Sequence, residues 1–248
     1  MLDSKKIIIT GASRGIGRAI AYASAKQGAI VGINYLNSAK EALDLQNEII
    51  SKGYQNPLLL KFDACNSVET EKSIQKFLDI YHRIDGWVNN ACINISGLLP
   101  LLTEEEINQQ IHSALIGPVL CCKSILPRML LNKKGSIVNI GSIVTEKVFR
   151  GQSVYAAAKG GLVSFTKALD CEYFRKGIRI NCVQPGPTDT DMMKTTKKLA
   201  AKKLPGLLSE GLFCSREEIA GVVCFLLSDW SAGIHGITIN VDGGYANL

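Results

Sequence analysis

Apolar positions along the chain fall into short, β-branched runs separated by longer stretches in which they recur every three or four residues. Residues 5–10 (with Ile7, Ile8 and Ile9), 29–35, 57–62, 86–89, 136–141, 178–184 and 236–242 read as buried strands, most of them closed by Gly, Asn, Asp or Pro. Between them, the stretch from a glycine turn through Gln27, then 38–52, 67–82, 103–131 and 153–176, carry the spacing of amphipathic helices. Ser38 stands as a cap for the second of these, and Thr103 with Glu106 as a capping box for the fourth. Pro118 and Pro127 are expected to bend that long helix. Alternation of strand and helix predicts an α/β fold: a Rossmann-like, doubly wound parallel sheet of about seven strands with helices on both faces, in a single domain.

Composition narrows the class. At 248 residues, 46% hydrophobic and 20% charged, the chain can bury one large core and is not a disordered polymer. No uninterrupted apolar run reaches the length of a membrane span, and residues 1–6 lack the apolar core of a signal peptide. A soluble, cytoplasmic protein is expected, with no membrane or nucleic-acid partner, since the net charge of +6 is modest. The eight cysteines include no C-x-x-C pair and His82, His112 and His235 are scattered, so free thiols are expected rather than disulfides or a metal site.

Candidate chemistry begins where the first strand breaks into Gly11-Ala12-Ser13-Arg14-Gly15-Ile16-Gly17 and a helix follows. Gly11 permits the tight turn, Gly15 lets backbone amides approach a pyrophosphate, and Gly17 lets helix and strand pack closely where the helix dipole favours anions. At the end of the second strand an acid would bind a ribose 2′-hydroxyl and repel a 2′-phosphate. The chain has Asn34, Tyr35, Leu36, Asn37 and Ser38 there, with Arg14 and Lys40 nearby, which favours NADP(H) over NAD(H).

Farther along, Ser142 follows the strand at 136–141, while Tyr155 and Lys159 are i and i+4 on one helix face. An ammonium beside a phenol is expected to lower the phenol pKa, as suits a general acid working near neutral pH.

Taken together, Thr10 to Gly17, Asp63, Asn89-Asn90-Ala91, Ser142 with Tyr155 and Lys159, Pro185-Gly186-Pro187-Thr188-Asp189-Thr190 and the ending Val241-Asp242-Gly243-Gly244 resemble the classical short-chain dehydrogenase/reductase family. Within it the chain looks most like the 3-oxoacyl-[acyl-carrier-protein] reductases. The resemblance implies a cofactor shell of Gly11, Ser13, Arg14, Gly15, Ile16 and Gly17, with Asp63 at the adenine edge and Asn89 and Ala91 on the adenosine ribose side. Pro185, Gly186, Thr188 and Thr190 would hold the nicotinamide end and diphosphate. Tyr155 would donate the proton, Ser142 would hydrogen-bond the carbonyl oxygen, and Lys159 would tune Tyr155 and bind the nicotinamide ribose.

The chain departs from the family pattern twice. Ala114 stands where the family has a proton-relay asparagine, and Cys92 where it usually has glycine after Asn-Asn-Ala. By the same resemblance, residues 191–213 form a substrate lid, with Lys194, Lys197, Lys198, Lys202 and Lys203 on it. Arg128, Arg175 and Lys176 are candidates for docking an acyl carrier protein, and the long helices for a homotetramer interface. The expected activity is NADPH-dependent reduction of a 3-oxoacyl thioester. Two alternatives stay open: a dehydrogenase of a small secondary alcohol or sugar alcohol, and a cofactor-binding subunit with weak catalysis.

Overall fold

A computed structural model of the protein describes residues 1–188 and 214–247. Seven strands form one parallel sheet: β1 (Lys6–Ile9), β2 (Ile30–Tyr35), β3 (Leu58–Lys61), β4 (Gly86–Asn89), β5 (Gly135–Ile140), β6 (Ile178–Pro185) and β7 (Thr238–Val241). Their order across the sheet is β3-β2-β1-β4-β5-β6-β7. The winding therefore reverses between β1 and β4, where Ile7 pairs with Gly86 and Ile9 with Val88. A crevice opens at the carboxyl ends of the strands at such a reversal, and that is where open α/β sheets bind ligands.

Side-chain alternation along each strand feeds two cores. Ile7 and Ile9 join one face, covered by α1 (Gly15–Lys26), α2 (Ala39–Ser51) and α7 (Arg216–Leu227) through Ile20, Leu45, Ile49, Ile219 and Val223. Ile8 joins the other, covered by α3 (Ser67–Tyr81), α5 (Gly117–Asn132) and α6 (Ser153–Tyr173) through Ile74, Phe77, Ile125, Met129 and Leu169. All eight cysteines are free thiols, five of them buried.

The elements differ from the sequence expectations in instructive places. Thr103 and Glu106 do form a capping box, at the start of α4 (Glu104–Ile111), but Ser38 makes no side-chain cap bond to α2. The long helix is interrupted by a π turn at His112–Ile116 between α4 and α5, with Pro118 just beyond it and Pro127 inside α5. Pro118 has no N–H to give Ala114, and its ring would clash with that carbonyl, so the helix widens one turn earlier. Helix α7, between β6 and β7, has no counterpart in the sequence expectations although Ser215 and Glu218 form a capping box there. Taken as one element, Glu104–Asn132 is long and apolar enough to cross a membrane by length and composition, yet half of it is buried against its neighbours.

Candidate active site

The crevice between β1 and β4 is built by the glycine turn. Gly11 and Gly15 both have left-handed backbones (φ +60° and +58°), which costs a non-glycine residue conformational energy. At Gly17 a Cβ would lie 2.3 Å from the Gly11 carbonyl oxygen, so only hydrogen lets α1 start this close to β1. Arg14, the residue before α1, has an exposed side chain that makes no cap bond, and the first turn holds no acid. The leading N–H groups of α1 are thus left to an anion, with the exposed Arg14 and Lys40 adding positive charge beside the end of β2. Ser13 is buried under the turn and Ile16 is half-buried. This cradle fits the diphosphate of a dinucleotide.

Three polar side chains hold the turn in place. The Asn34 side-chain oxygen accepts from the Gly11 N–H at 2.9 Å, and its amide donates to the carbonyls of Leu60 and Phe62. Asn90 Nδ2 donates to the Thr10 and Gly11 carbonyls. Thr10 Oγ1 accepts from the N–H groups of Asn90 and Ala91. In the sequence Asn34 signifies only the absence of an acid; its structural part depends on a contact 23 residues away and has no local signature.

On the other side of the crevice, Ser142 leaves β5 with an extended backbone, and its hydroxyl accepts from the Val144 N–H at 3.3 Å. Gln184, almost wholly buried at the end of β6, donates to the Ser142 carbonyl at 3.0 Å and fixes this corner. Tyr155 and Lys159 emerge from one face of α6 and both are buried. Ser142 and Cys92 both lie close enough to Tyr155 to influence the acidity of its phenol. The Lys159 ammonium bonds the Ile140 carbonyl, two residues before Ser142, and stands over the Tyr155 ring, so the three predicted residues gather at the end of β5.

The expected acidity of Tyr155 is corrected. Burial pushes the phenol well above its ordinary value, the neighbouring Cys92 thiol raises it further, and only Ser142 pulls it down. The Lys159 ammonium does not offset this. It donates to the Ile140 carbonyl at 2.7 Å and sits 5.7 Å from the centre of the Tyr155 ring. Desolvation of the phenolate outweighs a charge directed elsewhere.

Other predicted contacts are mixed. Asp63 stands half-buried just beyond β3, its carboxylate accepting from the Cys65 N–H at 2.8 Å. Ala91 reaches the crevice beside Gly11. The Asn89 side chain does not: it accepts from Trp87 Nε1 and donates to Asn139 Oδ1, inside the sheet, because the residue faces the α5 side of β4. Pro185 ends β6, Gly186 fits tightly against Asp242, and Thr188 Oγ1 donates back to the Gly186 carbonyl. Thr190, the lid at 191–213 and its five lysines lie outside the described residues. Ala114 is fully buried in the π turn, and its neighbour Ser113 instead accepts from the Ile93 N–H.

The family model described as enoyl-(acyl carrier protein) reductase matches residues 11–246. The 3-oxoacyl-[acyl-carrier-protein] reductase of Homo sapiens is 40% identical over 243 residues, covering 97% of each chain. The chain belongs to the short-chain dehydrogenase/reductase family. The corresponding FabG of Chlamydia trachomatis is 39% identical over 99% of both chains. Among solved members, a short-chain dehydrogenase from Burkholderia cenocepacia in complex with NADP superposes with a TM-score of 0.88 at 29% identity, covering 100% of this chain and 99% of that one. A Serratia marcescens short-chain dehydrogenase/reductase mutant gives 0.91 at 30%, over 99% of both. These similarities span the cradle, the Ser142–Tyr155–Lys159 corner and the closing strand together.

Proposed function

We propose that this short-chain dehydrogenase/reductase is an NADPH-dependent ketoreductase that reduces a 3-oxoacyl thioester, carried on an acyl carrier protein, to the 3-hydroxyacyl product. The observation that carries the reading is the gathering of Ser142, Tyr155 and Lys159 at the carboxyl end of β5, beside a crevice whose uncapped helix terminus fits a dinucleotide. Relatives of the same length at 37–40% identity bear the 3-oxoacyl-[acyl-carrier-protein] reductase name.

When bound, NADPH supplies a hydride to the carbonyl carbon. Negative charge then develops on the substrate oxygen, where Ser142 donates a hydrogen bond and Tyr155 transfers its proton. A phenol with a raised pKa keeps that proton through mildly alkaline conditions, which suits the reductive direction. Lys159, held beside Tyr155 by the Ile140 carbonyl, positions the nicotinamide ribose. Gly11, Gly15, Gly17 and the α1 amides take the diphosphate, Arg14 and Lys40 the 2′-phosphate, and Asp63 the adenine. Pro185, Gly186 and Thr188 close the nicotinamide end. Two hydroxyl donors at one corner of the sheet suit an oxygen that becomes an alcohol, whereas enoyl reduction would deliver its proton to carbon.

Carrier docking is revised in its residues. Arg128 is paired with Glu71 at 3.3 Å. Arg175 and Lys176 instead line a cavity of about 490 Å³ with Lys133 and Leu130, between the ends of α5 and α6. Six residues of β5 separate that cavity from the Ser142 corner, about 20 Å at the rise of a parallel strand, so a carrier bound there must present its acyl group on a long arm. The reading includes a soluble cytoplasmic homotetramer assembled through the outer faces of Glu104–Asn132 and α6, which light scattering tests.

The deciding assay follows NADPH oxidation with acetoacetyl-carrier protein, a free acetoacetyl thioester and a crotonyl thioester. Reduction of both keto substrates, faster on the carrier and absent with the crotonyl thioester, is expected. Tyr155→Phe should abolish reduction and leave NADPH binding intact. Background turnover despite tight NADPH binding would sink the ketoreductase reading and favour the cofactor-binding subunit that Ala114 suggests.

A further inference from the structure

The ketoreductase reading, on which this inference rests, puts the reacting carbonyl at the Ser142–Tyr155 corner and leaves the acyl chain beyond it to be housed. A groove of about 390 Å³ adjoins that corner. One side of it is the first turn of α6, where Ser153 and Ala156 flank Tyr155 in the chain. Leu98 and Leu99, from the loop beyond β4, and Val148 and Phe149, from the loop between β5 and α6, also line it. The two loops are joined: the Gly97 N–H donates to the Gly151 carbonyl at 3.0 Å, and the Gln152 amide bonds Ser96. All four apolar side chains are exposed, from 38% at Leu98 to 72% at Val148. Among the described residues that line the groove, Arg150 alone is charged. With the Gln152 amide already taken, such a surface suits an alkyl chain rather than a polar one.

Phe149 is held in place from the far end of the chain. The ring of Tyr245, in the terminal turn Tyr245–Asn247, stacks on it with centroids 6.0 Å apart and planes 12° from parallel. Lys147 Nζ lies 4.5 Å from the centre of the Tyr245 ring and donates to the Tyr245 carbonyl at 3.2 Å. Asn240, on β7, donates to the Glu146 carboxylate at 2.8 Å. The terminal turn is fixed in its own right, because the Asp242 carboxylate accepts from the N–H groups of Gly244 and Ala246. Tyr245 is 4% exposed and Phe149 42%, so a buried ring anchored beyond β7 carries an exposed one that lines the groove.

We propose that Tyr245 is a specificity-determining residue: through Phe149 it sets the wall of a groove that holds the acyl chain beyond the 3-oxo group. Phe149, Leu98 and Leu99 touch the chain, and Tyr245 is the positioning residue behind them. The substrates favoured are 3-oxoacyl thioesters with an unbranched alkyl chain longer than that of acetoacetyl.

NADPH oxidation with free acetoacetyl, 3-oxohexanoyl and 3-oxooctanoyl thioesters reads the groove. In the wild type kcat/KM should rise along the series by up to about fourfold per methylene, the fold-change that burying one such group supplies. Tyr245→Leu, which keeps an apolar side chain without a ring face, and Phe149→Ala should each lower the ratio of kcat/KM for 3-oxooctanoyl over acetoacetyl by about tenfold, chiefly through KM, the worth of fewer than two buried methylenes. Tyr245→Phe keeps both the ring and the main-chain carbonyl and should preserve the ratio. Phe149→Ala alters an exposed side chain, so it tests the groove even where Tyr245→Leu fails to fold. A flat wild-type series, or a loss in either variant that is equal on every chain length, would overturn the proposal and leave the ketoreductase reading standing. An unchanged ratio in Phe149→Ala with an altered mass by light scattering would overturn it too, and assign the apolar wall to a second copy of the chain. A wild-type enzyme that reduces none of the thioesters would overturn both.

Discussion

Gly17→Ala puts the cofactor cradle to its sharpest test. The added Cβ would lie 2.3 Å from the Gly11 carbonyl oxygen and 2.5 Å from Asn90 Nδ2, well inside the 3.0 Å that Cβ atoms respect. Neither neighbour can retreat cheaply. The Gly11 N–H is held by Asn34 and its carbonyl by Asn90, so the turn is pinned from both sides. The start of α1 must therefore move away by about 0.7 Å, or the Asn90 bond must break. Overpacking of this kind costs about 1–3 kcal/mol, and a lost hydrogen bond adds about 1 kcal/mol. Because the displaced atoms are the helix amides that face the diphosphate, NADPH affinity should fall by about ten- to a hundredfold, the sensitivity expected for sub-ångström to ångström misplacement. Fluorescence titration with NADPH and urea denaturation read the two effects separately. Gly221→Ala is the matched control: it lies exposed within α7, nothing stands within 4 Å of the place its new methyl group would take, and it should stabilise by about 0.5–1 kcal/mol. A folded Gly17→Ala protein with wild-type NADPH affinity would refute the cradle.

Three other outcomes follow from the same interactions. Asn34→Leu strands the Gly11 N–H and the Leu60 and Phe62 carbonyls, and should lower the urea unfolding free energy by about 3 kcal/mol while weakening NADPH binding. Burial raises the Cys182 and Cys224 thiols from 9.0 to about 11. Above pH 9 the unfolded chain releases these protons while the folded chain keeps them, so stability is complete below pH 9 and falls as pH rises toward 11, by up to about 3 kcal/mol per thiol. A flat unfolding free energy across that window, measured in urea, would contradict the assignment. Replacing Lys133, Arg175 and Lys176 together by Glu should raise KM for carrier-bound substrate and abolish its salt dependence, with the free thioester reduced as before; equal effects on both substrates would remove this cavity from carrier docking.

Much of this molecule is legible as a string of letters, because the determining interactions are local. The β-branched runs and their three-to-four-residue counterparts specify strands and helices through backbone periodicity. A glycine turn between the first pair specifies an anion cradle, and an i, i+4 spacing places Tyr155 and Lys159 on one helix face. The capping box of Thr103 and Glu106 is likewise a four-residue matter. Where the outcome depends on partners from distant crossovers, spacing carries no signal. Asn34 and Asn90 meet Gly11 only after β2 and β4 have been laid on either side of β1. Arg128 is taken by Glu71 of α3, and Lys133 joins Arg175 and Lys176 because β5 and β6 are neighbours.

The acidity of Tyr155 is the clearest case. Sequence proximity to Lys159 suggests a lowered pKa, but burial depth and the approach of Cys92, from the loop beyond β4, raise it. A helix repeat can say which two side chains share a face. Only the packed fold sets how much water reaches them and which third group stands opposite, since desolvation and contact are properties of the assembled core.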